Sequence, residues 1–176
     1  ATGSIFYQKR LAQTLSQIAK KGTNDYYRGE LAELIAKELQ KLGSPLRLED
    51  LHRHRAKLIN PLHLSHSLGD VYNMTPPTQG VVSLMILGIL DQLKLKQYSV
   101  DSPEYVHHCV EATKQAFKVR DQHITDPVYM KKHAQEFLSP SFLKTLASKV
   151  DRNKALPWGA GRGPADTIWM GDRKST

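Results

Sequence analysis

The sequence predicts a mostly α-helical α+β chain, on three observations. Apolar residues recur at helical spacing through most of residues 1–150. One short run of β-favouring residues, 70–74, follows Gly69. The longest apolar run, within TPPTQGVVSLMILGIL at 75–90, is led in by a Pro-Pro pair and a glycine. That run is too short to cross a bilayer, which takes roughly 20 residues, so it reads as a core helix buried on most sides.

The elements follow in order. Residues 5–21 place Leu11, Leu15, Ile18 and Ala19 on one helical face, and Gly22 is placed to end the helix. Residues 24–42 read as one helix, capped by Asn24 or Asp25, striped by Leu31, Leu34, Ile35 and Leu39, and closed by Gly43. Ser44-Pro45 is a loop, and Leu48 to Leu51 opens a short helical turn. Residues 57–67 are ambiguous: Pro61 breaks any helix, while Leu62 and Leu64 alternate. Beyond the 70–74 strand, Thr75 and Pro76 are held extended by the prolines that follow them. Gly80 relieves steric limits where the apolar helix begins.

Ser102-Pro103 starts a helix that runs to about Gln122, with Val106, Cys109, Val110, Thr113, Ala116 and Phe117 as its inner face. Asp126-Pro127 begins a short helical piece. Ser139-Pro140 begins the last one, through Phe142, Leu143, Leu146 and Val150. The expected organisation is a helix-rich segment over 1–150, a flexible Gly/Pro-containing loop over 151–166 and the start of a strand over 167–176.

Composition narrows the function classes. The chain has 176 residues, 40% of them hydrophobic, enough for one ordinary core. A formal charge of +8 permits an anionic partner. The cations are interleaved with acids along helical segments, as on solvated faces. A basic helical module binding nucleic acid or an acidic protein is the alternative reading. A single cysteine, Cys109, excludes an internal disulfide and reads as a buried thiol. The amino terminus lacks a basic leader and an apolar stretch, which points to the cytoplasm, or to the periplasm or secretion after loss of a leader. No membrane span is expected.

Eight histidines carry no metal-site spacing. His52 and His54 are two apart, His63 and His66 lie on a weak helix, and His107-His108 diverge. No metal or cofactor is expected. Gly159, Gly161 and Gly163 do not open a helix, so they form no phosphate cradle. Thr167, at the start of the last strand, taken alone reads as a β-favouring residue.

Five segments, in order, resemble the γ-glutamyltranspeptidase family across the central and carboxy-terminal part of its large subunit. DYYRGELA at 25–32 is similar to the family's FY-x-G-x-x-A, and LEDL at 48–51 to its T-x-x-DL. YNMTPPTQG at 72–80 resembles PPPSSGG with the same apolar helix after it. Glu111-Ala112 through Ala116-Phe117 to Asp126-Pro127 resembles EA-x-x-x-AY-x-DR followed by DP, with Arg120 and Asp121 in the DR region in a structural role. Asp166-Thr167-Ile168 falls where that family is processed. Departures are Val81 for the motif's second glycine, Thr78 and Gln79 for its serines, and Asp166 where many members have threonine. The DTIW junction is closer to the acylase-like branch that includes cephalosporin acylases. After Gly171 the sequence departs from the family's V-V-D-x-x-G strand, which leaves Ser175 and Thr176 as lesser rivals to Thr167.

The resemblance implies an αββα N-terminal-nucleophile hydrolase sandwich, of which this chain is the helical large-subunit portion. It implies a precursor that cuts itself between Asp166 and Thr167. Thr167 is then the catalytic nucleophile on γ-glutamyl or glutaryl-type amides. The implied partners are the small subunit or remainder of the precursor, the small-molecule amide and, in some assemblies, a second copy. The remaining active-site groups lie outside these residues, so this chain alone is expected to be inactive.

Overall fold

The computed structural model describes residues 3–157. It divides into two compact units, Ala1–Ile59 and Asn60–Thr176.

The first unit is four helices. Helix α1 (Lys9–Lys21) starts four residues later than the sequence pattern predicts and buries none of its residues; Leu11 and Leu15 lie on the surface. Gly22 ends it with φ of 79°, a conformation that side chains rarely adopt, and donates its N–H to the Ile18 carbonyl. The single helix expected over 24–42 is two helices, α2 (Thr23–Arg28) and α3 (Glu30–Lys41). Gly29 makes the break: its backbone is extended, and a Cβ there would run into the Asp25 carboxylate and lie 2.9 Å from the Asp25 Cα. Asp25 is buried and accepts a bond of 2.9 Å from Gln17 Nε2. The inner face of α3 is Leu31, Ala32 and Ala36, with Leu34 turned out. Helix α4 (Leu48–Arg53) is opened by Asp50, whose carboxylate accepts from the Arg47 N–H at 2.9 Å.

The second unit is built around α5 (Gly80–Gln92), the apolar run read from the sequence. Val81, Val82, Leu84, Met85 and Ile89 are all buried, which fits a helix surrounded on most sides. The ambiguous stretch before it resolves as strand β1 (Leu62–His66), paired antiparallel with β2 (Gly69–Asn73) in the register Leu62↔Asn73 and Leu64↔Val71. The alternating Leu62 and Leu64 point into the core, the period-2 signal that a helix would not give. Strand β2 lies one residue earlier than expected. On the side of β1 away from β2, the Gln135 amide accepts from the His63 N–H at 3.0 Å and donates to the His63 carbonyl at 2.7 Å.

Between β2 and α5 the chain turns through Pro76 and Pro77, whose peptide bond is cis. Gly80 is required there by close approach. A Cβ on it would collide with the Met74 carbonyl oxygen and lie 2.9 Å from both Asn73 Oδ1 and the Met74 nitrogen. Helix α6 (Pro103–His123) starts as expected, with Ser102 Oγ accepting from the Tyr105 N–H at 3.1 Å. Helix α7 (Pro140–Ala147) buries Leu143, Leu146 and Ala147, and Val150 follows into the core.

The inner face of α6 differs from the expected one. Val106 and Val110 are exposed, at 54% and 47%, while His108, Glu111, Lys114 and Gln115 are buried beside Ala112, Ala116 and Val119. Hydrophobic periodicity cannot find such a face, because it places Glu111, Lys114 and His108 outside, whereas Glu111 and Lys114 pair with each other and His108 Nδ1 and Lys114 bond backbone carbonyls.

Candidate functional site

Asp166 and Thr167 lie outside the described residues, as do Gly159, Gly161, Gly163 and the rivals Ser175 and Thr176. What the structure places is the approach to that junction, residues 151–157, and the helix that holds it. At 151 the Asp carboxylate folds back on the chain, accepting from the N–H groups of Asn153 at 2.8 Å and Lys154 at 3.1 Å. Two side chains of α6 then take carbonyls of this segment. His107 Nε2 bonds the Asp151 oxygen at 2.7 Å, and Lys114 Nζ donates to the Leu156 oxygen at 2.6 Å. These residues lie about 10 Å apart along the helix at 1.5 Å per residue. The exit segment therefore runs in the same direction as α6, held at both ends.

Lys114 Nζ also donates to Glu111 Oε1 at 2.6 Å, one helical turn earlier. The side chains of Glu111 and Lys114 are 1% and 10% exposed, unlike the surface pairs Lys21–Glu30 and Lys41–Glu38. A carboxylate and an ammonium taken this far from water tolerate burial only as a pair, with further hydrogen bonds to the ammonium. The Leu156 carbonyl supplies one of these. Three more buried polar atoms on this side of α6 have no partner among the described residues: His108 Nε2, Glu111 Oε2 and Gln115 Nε2. His108 Nδ1 is 2.6 Å from the Glu104 carbonyl, which can only accept, so the proton sits on Nδ1.

The other sequence candidates are placed apart. His63 and His66 sit on β1 three residues apart, hence on opposite faces. His63 pairs with Asp70 at 2.7 Å and stacks on Tyr72, while His66 lies 3.7 Å from Asp91. His54 stacks on Tyr27. Among the described residues no three His, Cys, Asp or Glu side chains converge as metal ligands. Burial lifts the Asp91 carboxyl, but the hydrogen bonds from Ser67 and the charges of His66 and Lys96 outweigh it, so its pKa is below the ordinary value. Burial pushes the Cys109 thiol up, away from nucleophile duty. Arg120 pairs with Asp121 at 2.8 Å and lies over the Phe117 ring. A cleft of about 220 Å³ beside β1, lined by His63, Asp91 and Gln135, is smaller than ordinary ligand pockets. The described helices include none long and apolar enough to cross a membrane.

The sequence reading passed over Lys114 and took His107-His108 only as diverging neighbours. The usable signal was a Glu-x-x-Lys pair on the side of α6 that also carries Ala112 and Ala116.

Comparison with known proteins completes the picture. The profile of the family described as Gamma-glutamyltranspeptidase matches residues 1–173. The oxamate amidohydrolase proenzyme of Klebsiella pneumoniae subsp. pneumoniae is 49% identical over 169 residues, 96% of this chain and 32% of that protein. The glutathione hydrolase proenzyme of Escherichia coli (strain K12) is 33% identical over 156 residues, 88% of this chain and 27% of that protein. The solved structure of γ-glutamyltranspeptidase from Pseudomonas nitroreducens complexed with L-DON matches with a TM-score of 0.73 at 27% identity. That match covers 88% of this chain and 47% of the other. The chain thus spans about a third of the length of the curated relatives it matches.

Proposed function

The chain belongs to the γ-glutamyltranspeptidase family, and on that premise we propose that its full-length protein is an amidohydrolase that cuts itself between Asp166 and Thr167. The fold is that of the mostly helical large-subunit portion of this family, with a small sheet. One observation carries the proposal: the family match runs to residue 173, through the Asp166–Thr167 junction, and the relatives are named proenzymes.

The chemistry explains why a threonine belongs there. In the precursor, the Thr167 hydroxyl oxygen attacks the Asp166 carbonyl carbon. The C–N bond breaks as the acyl group moves to oxygen, and the nitrogen keeps its own hydrogen and takes up the hydroxyl's proton to become the new α-amine. Water then hydrolyses the ester, leaving the Asp166 carboxylate and restoring the Thr167 hydroxyl. An α-amine has a reference pKa of about 7.7–8.0, so part of it is neutral near pH 7 and serves as a base for that hydroxyl. The activated oxygen attacks the substrate amide and expels the amine. Water or an amino acid then resolves the acyl-enzyme. The remaining catalytic groups come from the rest of the precursor, which supplies the small subunit.

The substrate class is a γ-glutamyl or glutaryl-type amide. A second reading, hydrolysis of a small dicarboxylic monoamide such as oxamate, is favoured by the 49% identity to the oxamate enzyme against 33% to the glutathione hydrolase. Both substrates present a carboxylate on the acyl side of the amide. The rival reading, a basic module for nucleic acid, is not favoured, and a salt-dependent DNA shift would be needed to revive it.

The test is the intact mass of the full-length protein beside a Thr167→Ala variant. Two fragments in the wild type and one uncut chain in the variant are expected; two uncut proteins would sink the proposal. Oxamate, γ-glutamyl anilide and a glutaryl amide, assayed in parallel, separate the substrate readings.

A further inference from the structure

We propose that the free edge of strand β2 takes a further β-strand of the same full-length protein, supplied from outside residues 3–157 and bonded to the backbone of Asp70 and Tyr72. The proposal goes beyond the Thr167 reading and stands whether or not the precursor cuts itself. Residues of an antiparallel strand send their N–H and C=O alternately toward the partner strand and away from it. Both backbone groups of His63 go to Gln135, hence away from β2. Tyr72 lies opposite His63, so its own N–H and C=O point away from β1. Asp70, two residues back and opposite Ser65, points the same way. Among the described residues nothing bonds the backbone of Asp70 or Tyr72 on that side, and both residues are exposed.

This edge is shaped for pairing. Strand β2 is regular over Gly69–Asn73, without the bulge, proline or lysine that blunts an edge meant to stay in water. Its one charge, Asp70, is engaged by His63 at 2.7 Å across the face of the hairpin. Val71 packs against the core beside Leu62 and Leu64, so core burial uses the other face and leaves the edge uncovered. An extended segment joining such an edge gains main-chain hydrogen bonds from alternate residues, here 70 and 72. Length identifies the occupant. The chain covers 32% of the Klebsiella relative, so most of a protein of that length lies elsewhere. A strand from that remainder meets the edge at an effective concentration set by the connecting chain, which a second copy in dilute solution does not match.

Hydrogen exchange of the full-length wild-type protein, resolved to single amides by mass spectrometry with electron-transfer fragmentation, tests this without a variant. The Val71 amide, which faces Leu64 within the hairpin, is the internal reference for a bonded strand. The Asp70 and Tyr72 amides are both expected to exchange at least about a hundredfold more slowly than unstructured amides, as Val71 does. A smaller factor at both would show an open edge and overturn the proposal. Slow exchange at one of the two alone would show a side-chain cap in place of a strand, and would overturn it equally. The measurement is repeated after tenfold dilution, with the molecular mass followed by light scattering. Protection that is unchanged supports a strand of the same molecule. Protection that is lost as a dimer dissociates would assign the edge to a second copy and overturn the proposed occupant.

Discussion

Gly80 and Gly88 occupy the same helix but face different neighbours, which makes their alanine variants a matched test of how the Pro-Pro turn is built. In a helix interior the change from glycine to alanine gains up to about 1 kcal/mol. At Gly88 the added Cβ meets the movable Leu143 side chain, with Cδ1 at 2.6 Å, Cδ2 at 3.1 Å and Cγ at 3.3 Å. A rotamer adjustment there costs on the order of 1 kcal/mol and roughly cancels the gain. At Gly80 the Cβ meets the Met74 carbonyl and nitrogen, backbone atoms that cannot yield without shifting the whole turn. That is overpacking at the upper end of its usual range, about 3 kcal/mol, and the first helical residue gains little from propensity. The two variants should therefore differ by at least about 2 kcal/mol. At about 2.1 cal/mol/K per residue, a full-length chain about three times as long as this one shifts by roughly 1 °C per kcal/mol, so Gly80→Ala should melt about 2 °C or more below Gly88→Ala. Thermal unfolding of the full-length protein at one pH reads the difference. A Gly80→Ala variant that melts with or above Gly88→Ala would refute the close approach.

Val81 stands where the family motif has its second glycine, and it is fully buried. Val81→Gly is expected to cost about 3 kcal/mol through lost burial, cavity and backbone freedom, seen as a lower denaturation midpoint; an unchanged midpoint would mean that Val81 is not a core residue. Asp91 accepts from the Ser67 N–H at 3.0 Å, and its folded pKa lies below the ordinary value of 3.8. A depressed carboxylate contributes stability above its unfolded pKa and loses it as pH falls through the folded one. The melting temperature of wild type should accordingly exceed that of Asp91→Asn at neutral pH, with the gap closing below pH 3.8; a gap that widens on acidification would reverse the sign.

Legibility in the sequence followed local signals. Helix α5 was plain because a continuous apolar run after Pro-Pro and glycine has few other ways to fold. The starts of α6 and α7 were plain because Ser-Pro fixes a first turn. Helix α3 was mistaken for part of a longer one, because the break at Gly29 depends on where the Asp25 side chain sits. Strand β1 was ambiguous because two alternating leucines are a short signal until β2 pairs with them. The buried face of α6 was missed for a different reason: Glu111 and Lys114 look like surface charges one at a time, and only their contact and the Leu156 carbonyl make them interior residues. Thr167 came from the order of five motifs, not from its own surroundings, which read as an ordinary strand start.

The Gln135 amide against His63 has one more consequence. In an antiparallel hairpin, alternate residues of a strand send both backbone groups to the partner or both away from it. His63 sends them away from β2, and the planar fork of a primary amide sets an acceptor and a donor side by side to meet an N–H and a C=O together. A slip of β1 by one residue would turn Leu62 and Leu64 toward water, so burial of those two leucines fixes the register. Residue 135, seventy-two positions along the chain, instead closes the outer edge of the hairpin at β1, taking up the N–H and C=O that would otherwise be open to pairing with another strand.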